Sequence, residues 1–74
     1  PPAMRVDDYC FIAANTTMLR NIVVGDRVFI ASNAVIANDV KIGDDAYIGM
    51  GSIVMKDIPE GCKTFANPAR ILPA

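Results

Sequence analysis

Seventy-four residues with a formal net charge of −1 and interspersed signs make one domain, near the lower size limit for a core that folds unaided. That balance speaks against a nucleic-acid groove or a basic membrane face, and no stretch approaches the roughly 20 apolar residues of a membrane span. The apolar fraction is 53%, more than a compact globule of this size can bury, so an oligomer is expected.

In chain order, Pro1-Pro2-Ala3-Met4 is short and non-repetitive and carries no charged-then-apolar leader pattern. It offers no evident cap, as expected of a piece of a longer protein or of an end that a partner covers. From Val6 onward an apolar residue returns every sixth position: Ile12, Met18, Val24, Ile30, Ile36, Ile42, Ile48 and Val54. A helix repeats at 3.6 residues and a half-buried strand at 2, so neither fits. A fixed period of six is the pattern of a parallel β-helix. Each hexad supplies one short strand and one corner, and three hexads close a triangular coil.

With the anchor as position one, position two is often small: Ala13, Gly25, Ala31, Ala37, Gly43 and Gly49. Position five is small or β-branched, from Cys10, Thr16, Ile22 and Val28 through Ala34, Val40, Ala46 and Ser52 to Ile58. Positions three and four favour Asp, Asn and Gly, which tolerate the left-handed backbone of a tight corner. The expectation is an all-β fold, with residues 1–59 forming about three coils and residues 60–74 a C-terminal loop and capping segment.

Phe11, Phe29 and Tyr47 share position six at eighteen-residue intervals. They should stack as a ladder on one outer face, and an exposed aromatic row needs covering, so they are the expected subunit contact. Met4, Met18, Met50 and Met55 read as gap-fillers. Cys10 and Cys62 are far apart and the chain has no histidine, so no metal site is expected. Both thiols read as reduced, in a cytoplasmic protein. Beyond Val54, Lys56-Asp57-Ile58-Pro59-Glu60-Gly61 is a turn region, and Ile71 and Leu72 are candidates to cover the last coil.

Two segments carry a family resemblance. One runs Val40-x-Ile42-Gly43-Asp44-x-Ala46-x-Ile48-Gly49-x-Gly51-Ser52-x-Val54 and continues Lys56-Asp57-Ile58-Pro59-x-Gly61; the other is Asn67-Pro68-Ala69-Arg70. Together they resemble the C-terminal half of the hexapeptide-repeat acyltransferases, most of all the nucleotide-amino-sugar acetyltransferase branch. The hexads alone are shared with γ-type carbonic anhydrases and nucleotidyltransferases, but the carbonic anhydrase zinc needs three histidines. The resemblance implies a left-handed winding, a homotrimer, and acetyl-CoA lying between neighbouring prisms as co-substrate. It also implies a small-molecule acceptor, a sugar or nucleotide sugar. Ala31, Ser32, Gly49 and Met50 resemble the small residues lining the pantetheine groove, and Lys56 and Arg70 are placed to meet the CoA phosphates. The family's general base is a histidine; it and its carboxylate partner would fall near Pro2 and Ala3, and a further histidine common in the family near Phe11, and none of these positions holds a base. No catalytic residue is therefore assigned, because solvated carboxylates such as Asp7 and Asp8 are poor substitutes. Two functions follow: the CoA-binding region of an acyltransferase, or a non-catalytic trimeric assembly or binding module.

Overall fold

The computed structural model describes residues 4–65 and 70–72. Its strands are β1 (Met4–Val6), β2 (Phe11–Ile12), β3 (Thr17–Met18), β4 (Ile22–Val24), β5 (Phe29–Ile30), β6 (Val35–Ile36), β7 (Lys41–Ile42), β8 (Tyr47–Ile48), β9 (Ile53–Val54), β10 (Lys63–Phe65) and β11 (Arg70–Leu72). No helix occurs among the described residues, so none is long and apolar enough to cross a membrane. Strands this short gain their stability from stacking one coil on the next. They form three sheets, β1-β4-β7, β2-β5-β8-β10-β11 and β3-β6-β9, here called the first, second and third faces of a triangular prism.

Parallel pairing joins residues eighteen apart, such as Val6 with Val24, Ile12 with Ile30 and Met18 with Ile36. The anchors thereby stack in three inward columns. Val24, Ile30, Ile36, Ile48 and Val54 are fully buried at 0% exposure, lined by Val28, Ala34, Val40 and Ala46 from position five. The interior opens at the first coil, where Val6 and Ile12 are each 39% exposed.

The left-handed backbone falls at position four in every corner from Tyr9 to Asp45, with φ between 56° and 63°, and at Gly51 with φ 70°. Position three does a different job. Its side chain accepts a backbone N–H from the coil below: Asp26 from Asp8, Asp44 from Asp26 and Asn38 from Arg20, at 3.0, 2.7 and 3.2 Å. The Asx-rich corners thus answer two separate demands, one conformational and one for an acceptor.

The period breaks once. Ile58 pairs with Ile42 and Thr64 with Ile48, a step of sixteen residues instead of eighteen. Counted by position, Ile58 was expected at position five; it instead takes an inward anchor place, because the hexad after Val54 is two residues short. Asp57 Oδ1 accepts the Lys41 N–H at 2.8 Å across this contraction. Six residues later Thr64 is the next anchor, wholly buried, and Gly61 takes the left-handed corner with φ 74°. The hydroxyls of Thr64 and Ser52 are buried without a hydrogen-bond partner among the described residues. β11 pairs antiparallel with β10, setting Ile71 opposite Thr64. Ile71 and Leu72 remain 40% and 46% exposed, so they cover the end only in part.

Candidate functional site

The prism's three edges differ sharply in charge. Between the first and second faces lie Asp7, Asp8, Asp26, Asp44, Asp45 and Glu60, six of the eight acidic residues of the chain. Arg27 bridges this edge vertically, with Nε 2.7 Å and Nη2 3.1 Å from the two carboxylate oxygens of Asp45. Its hydrogen bond holds the Asp45 carboxyl below the ordinary aspartate range. A lowered value stabilises the fold above the unfolded group's range and loses that contribution as pH falls through the folded value. An NMR titration should therefore show Asp45 ionising at lower pH in the native chain than in Arg27→Gln; coincident curves would remove the ion pair from the solution structure.

The edge between the second and third faces carries no charge. It is built from Ala13-Ala14-Asn15, Ala31-Ser32-Asn33 and Gly49-Met50-Gly51, stacked one coil apart. The Gly51 N–H donates to the Ser32 carbonyl at 3.0 Å, and the Ala31 N–H to that of Ile48 at 2.9 Å. Four of the six expected cofactor-lining residues, Ala31, Ser32, Gly49 and Met50, thus meet on one edge. Lys56 stands apart on the remaining edge, with Leu19-Arg20-Asn21 and Ala37-Asn38-Asp39 below it. Arg70 opens β11 at the end of the second face, opposite Phe65. The Asn67-Pro68-Ala69 part of the motif lies outside the described residues, as do Pro2 and Ala3.

Within the uncharged edge the four residues are not equivalent. Gly49 and Ala31 are buried, Ser32 is half-buried and Met50 is 71% exposed. A Cβ on Gly49 would come within 2.6 Å of the Phe65 ring and 2.8 Å of the Thr64 carbonyl. Its size serves the close passage of the coil above, so Ser32 and Met50 are what the edge presents outward.

On the acidic edge, the position-three N–H groups of Asp8 and Asp26 are taken by Asp side chains from above. On the uncharged edge position three is Ala14, Ser32 and Met50, none of which carries a carboxylate or amide. Among the described residues, the N–H groups of Ala14 and Ser32 have no acceptor. The edge therefore combines an absence of charge, mostly small side chains and, among the described residues, stacked backbone donors at Ala14 and Ser32 that nothing accepts.

The expected aromatic ladder is present on the outside of the second face. Phe11 and Phe29 stack at 4.9 Å and 9°, and Phe29 and Tyr47 at 5.1 Å and 2°. Phe65 adds a fourth ring, tilted 47° and 6.0 Å from Tyr47. Strict counting missed it: Lys63 stands directly above Tyr47, and Phe65 reaches the ladder from position two. Counting afresh from Ile58 would have exposed the shift.

Residues 21–56 match the family model described as bacterial transferase hexapeptide (six repeats). No curated protein matches the chain. Among solved structures, a variant of perosamine N-acetyltransferase from Caulobacter crescentus, in complex with CoA and GDP-perosamine, is 27% identical; the match covers 96% of this chain and 34% of that one, with a TM-score of 0.92. Soybean serine acetyltransferase, as the apoenzyme, is 39% identical over 69% of this chain and 21% of its own, with a TM-score of 0.67. The acetyltransferase domain of PglB from Neisseria gonorrhoeae, in complex with acetyl coenzyme A, shares the fold at 24% identity and a TM-score of 0.77, over 97% of this chain and 38% of that one. The chain spans about a third or less of the length of the first two. It carries the bacterial transferase hexapeptide repeat and, with it, the left-handed β-helix of the hexapeptide-repeat acetyltransferases.

Proposed function

We propose that this chain is the CoA-binding portion of an acetyl-CoA-dependent acyltransferase that acts on a sugar or nucleotide sugar, working as a cytoplasmic homotrimer. The observation that carries this reading is the uncharged edge with the N–H groups of Ala14 and Ser32, which no described residue accepts. An extended, amide-bearing ligand such as pantetheine needs small side chains to approach the backbone and donors to meet its carbonyls. The acidic edge would repel the phosphates of CoA. Lys56 on one side and Arg70 at the end of the prism supply positive charge for them, as point charge and planar fork. Perosamine N-acetyltransferase bound to CoA and a nucleotide sugar, at 27% identity, supports both the cofactor and the acceptor class.

The chemistry of transfer asks for a base to take the acceptor's proton as it attacks the thioester. This chain has no imidazole, and no Cys–His or Ser–His pair can be assembled from it. Its part is to hold and orient the thioester, and the base is not among its residues. The free thiols Cys10 and Cys62 suit a reducing compartment.

Calorimetric titration with CoA tests the reading. Saturable binding is expected, weakened tenfold or more by Ser32→Trp, which fills the edge without touching the core. No acetyl transfer is expected from the chain alone. Absence of CoA binding would overturn the cofactor assignment and leave the non-catalytic assembly module, which the missing histidine favours.

A further inference from the structure

We infer that Phe65, with Lys63 beside it on β10, receives the adenosine phosphate end of the donor, and so selects CoA over acyl donors that carry the same pantetheine arm without a nucleotide. The inference rests on the cofactor reading proposed above and names the residues that recognise the far end of that cofactor.

Phe65 differs from the three rings below it. Phe11, Phe29 and Tyr47 lie nearly parallel, at 9° and 2°, so their faces are taken up by one another. Phe65 is turned 47° from Tyr47 at a centroid distance of 6.0 Å, and no further ring lies above it among the described residues. It is 42% exposed, so ring surface remains for a flat ligand.

The sixteen-residue step sets where that ring sits. Thr64 pairs with Ile48, so Phe65 stands over Gly49 and closes the outward column Ala13, Ala31 and Gly49 of the uncharged edge. An unbroken eighteen-residue step would have brought Asn67 there instead, with no ring. The Phe65 Cδ1 lies 2.6 Å from where a Gly49 Cβ would be, so the ring leans onto the edge. From Ala13 to Phe65 is three strand spacings, about 14 Å, the scale of an extended pantetheine arm. A donor laid along the edge brings its next group onto the ring.

Charge identifies that group. Strand β10 alternates exposed, buried, exposed, so Lys63 and Phe65 share its outer side. Lys63 forms no ion pair among the described residues. Arg70 stands opposite Phe65 in register, a second basic residue at the same level. The other end of this face is acidic, with Asp7 and Asp8 shortly before Phe11. A flat base that carries phosphates suits a ring flanked by lysine, the ring stacking on the base and the ammonium meeting the phosphate. A neutral sugar would make no use of the cation.

Calorimetry with CoA, phosphopantetheine and a nucleoside diphosphate sugar gives the test, on the native chain, Phe65→Leu and Phe65→Tyr. Phosphopantetheine keeps the arm and lacks the adenosine. The native chain should bind CoA more tightly than phosphopantetheine. Phe65→Leu should lower CoA affinity about tenfold, leave phosphopantetheine affinity unchanged and be rescued by Phe65→Tyr. An equal loss for both probes would make Phe65 a support of the groove, and an unchanged CoA affinity would leave it no role; either result overturns the inference. So would equal native affinities, or a loss in Phe65→Leu felt by the nucleotide sugar and not by CoA. A native chain that binds neither pantetheine probe would instead overturn the cofactor reading itself. Should Phe65→Leu lose its fold, adenosine bisphosphate is titrated into the native chain by NMR. The Phe65 ring protons are then expected to move upfield, and their stillness would count against the inference.

Discussion

Replacing Ile36 with alanine is expected to lower the unfolding free energy by about 4 kcal/mol, while Val35→Ala beside it costs about 1 kcal/mol or less. The two residues are neighbours on β6, yet Ile36 is fully buried and Val35 only half-buried on the outer face. Ile36 sits between Met18 below and Val54 above in one inward column, so truncation leaves a cavity that rigid stacked strands cannot close. A chain of 74 residues has total stability of only about 4 to 11 kcal/mol, scaling from per-residue norms, so the loss is a large share of it. Urea unfolding monitored by circular dichroism measures both variants. Equal effects would mean that inward and outward positions are not distinguished in solution.

Gly43→Ala is the second large effect, with an expected loss of about 2 to 3 kcal/mol from a single added methyl group. Position two tolerates a Cβ at Ala13, Ala31 and Ala37, so its place in the hexad does not forbid alanine. At Gly43, as at Gly25, the next coil passes directly overhead. An added Cβ would lie 2.5 Å from the Glu60 nitrogen and 2.8 Å from its Cα, both backbone atoms that cannot swing aside. The reverse change at a permissive site, Ala37→Gly, should cost about 1 kcal/mol or less through chain entropy alone. A Gly43→Ala melting curve that overlays the native one would show that Glu60 does not pass this closely over Gly43 in solution.

Why the repeat can be read so directly follows from its physics. Each anchor meets the same demand eighteen residues later, so Val6 to Val54 announce the columns, and the aromatic ladder follows from position six without further information. The contraction after Val54 escapes such counting because nothing local in Met55-Lys56-Asp57 marks a deletion. Only the pairing of Ile58 with Ile42 reveals it. Asp, Asn and Gly at the corners signal left-handed geometry, but Tyr9 and Arg27 occupy the same conformation, at φ 61° and 56°, against their preference. Arg27 has its reach to Asp45 to offset that strain.

The candidate site was legible in part for a similar reason. Small residues at Ala31 and Gly49 show in the sequence, but not that Gly49 is small for the sake of Phe65 and Thr64. Charge counts show near-neutrality, while its segregation into one acidic and one uncharged edge appears only once residues eighteen apart are stacked. The free N–H row is harder still to foresee. It is defined by what stands one coil above Ala14 and Ser32: Ser32 and Met50, neither with a carboxylate or amide to accept the N–H.

That row is also the most direct test of the account. In a ¹H–¹⁵N NMR titration with CoA, the amides of Ala14 and Ser32 should move furthest, with those of Asp8 and Asp26, held by the coil above, nearly still. Shifts centred on the acidic edge, or none at saturating CoA, would contradict the assignment of the uncharged edge as the cofactor's place.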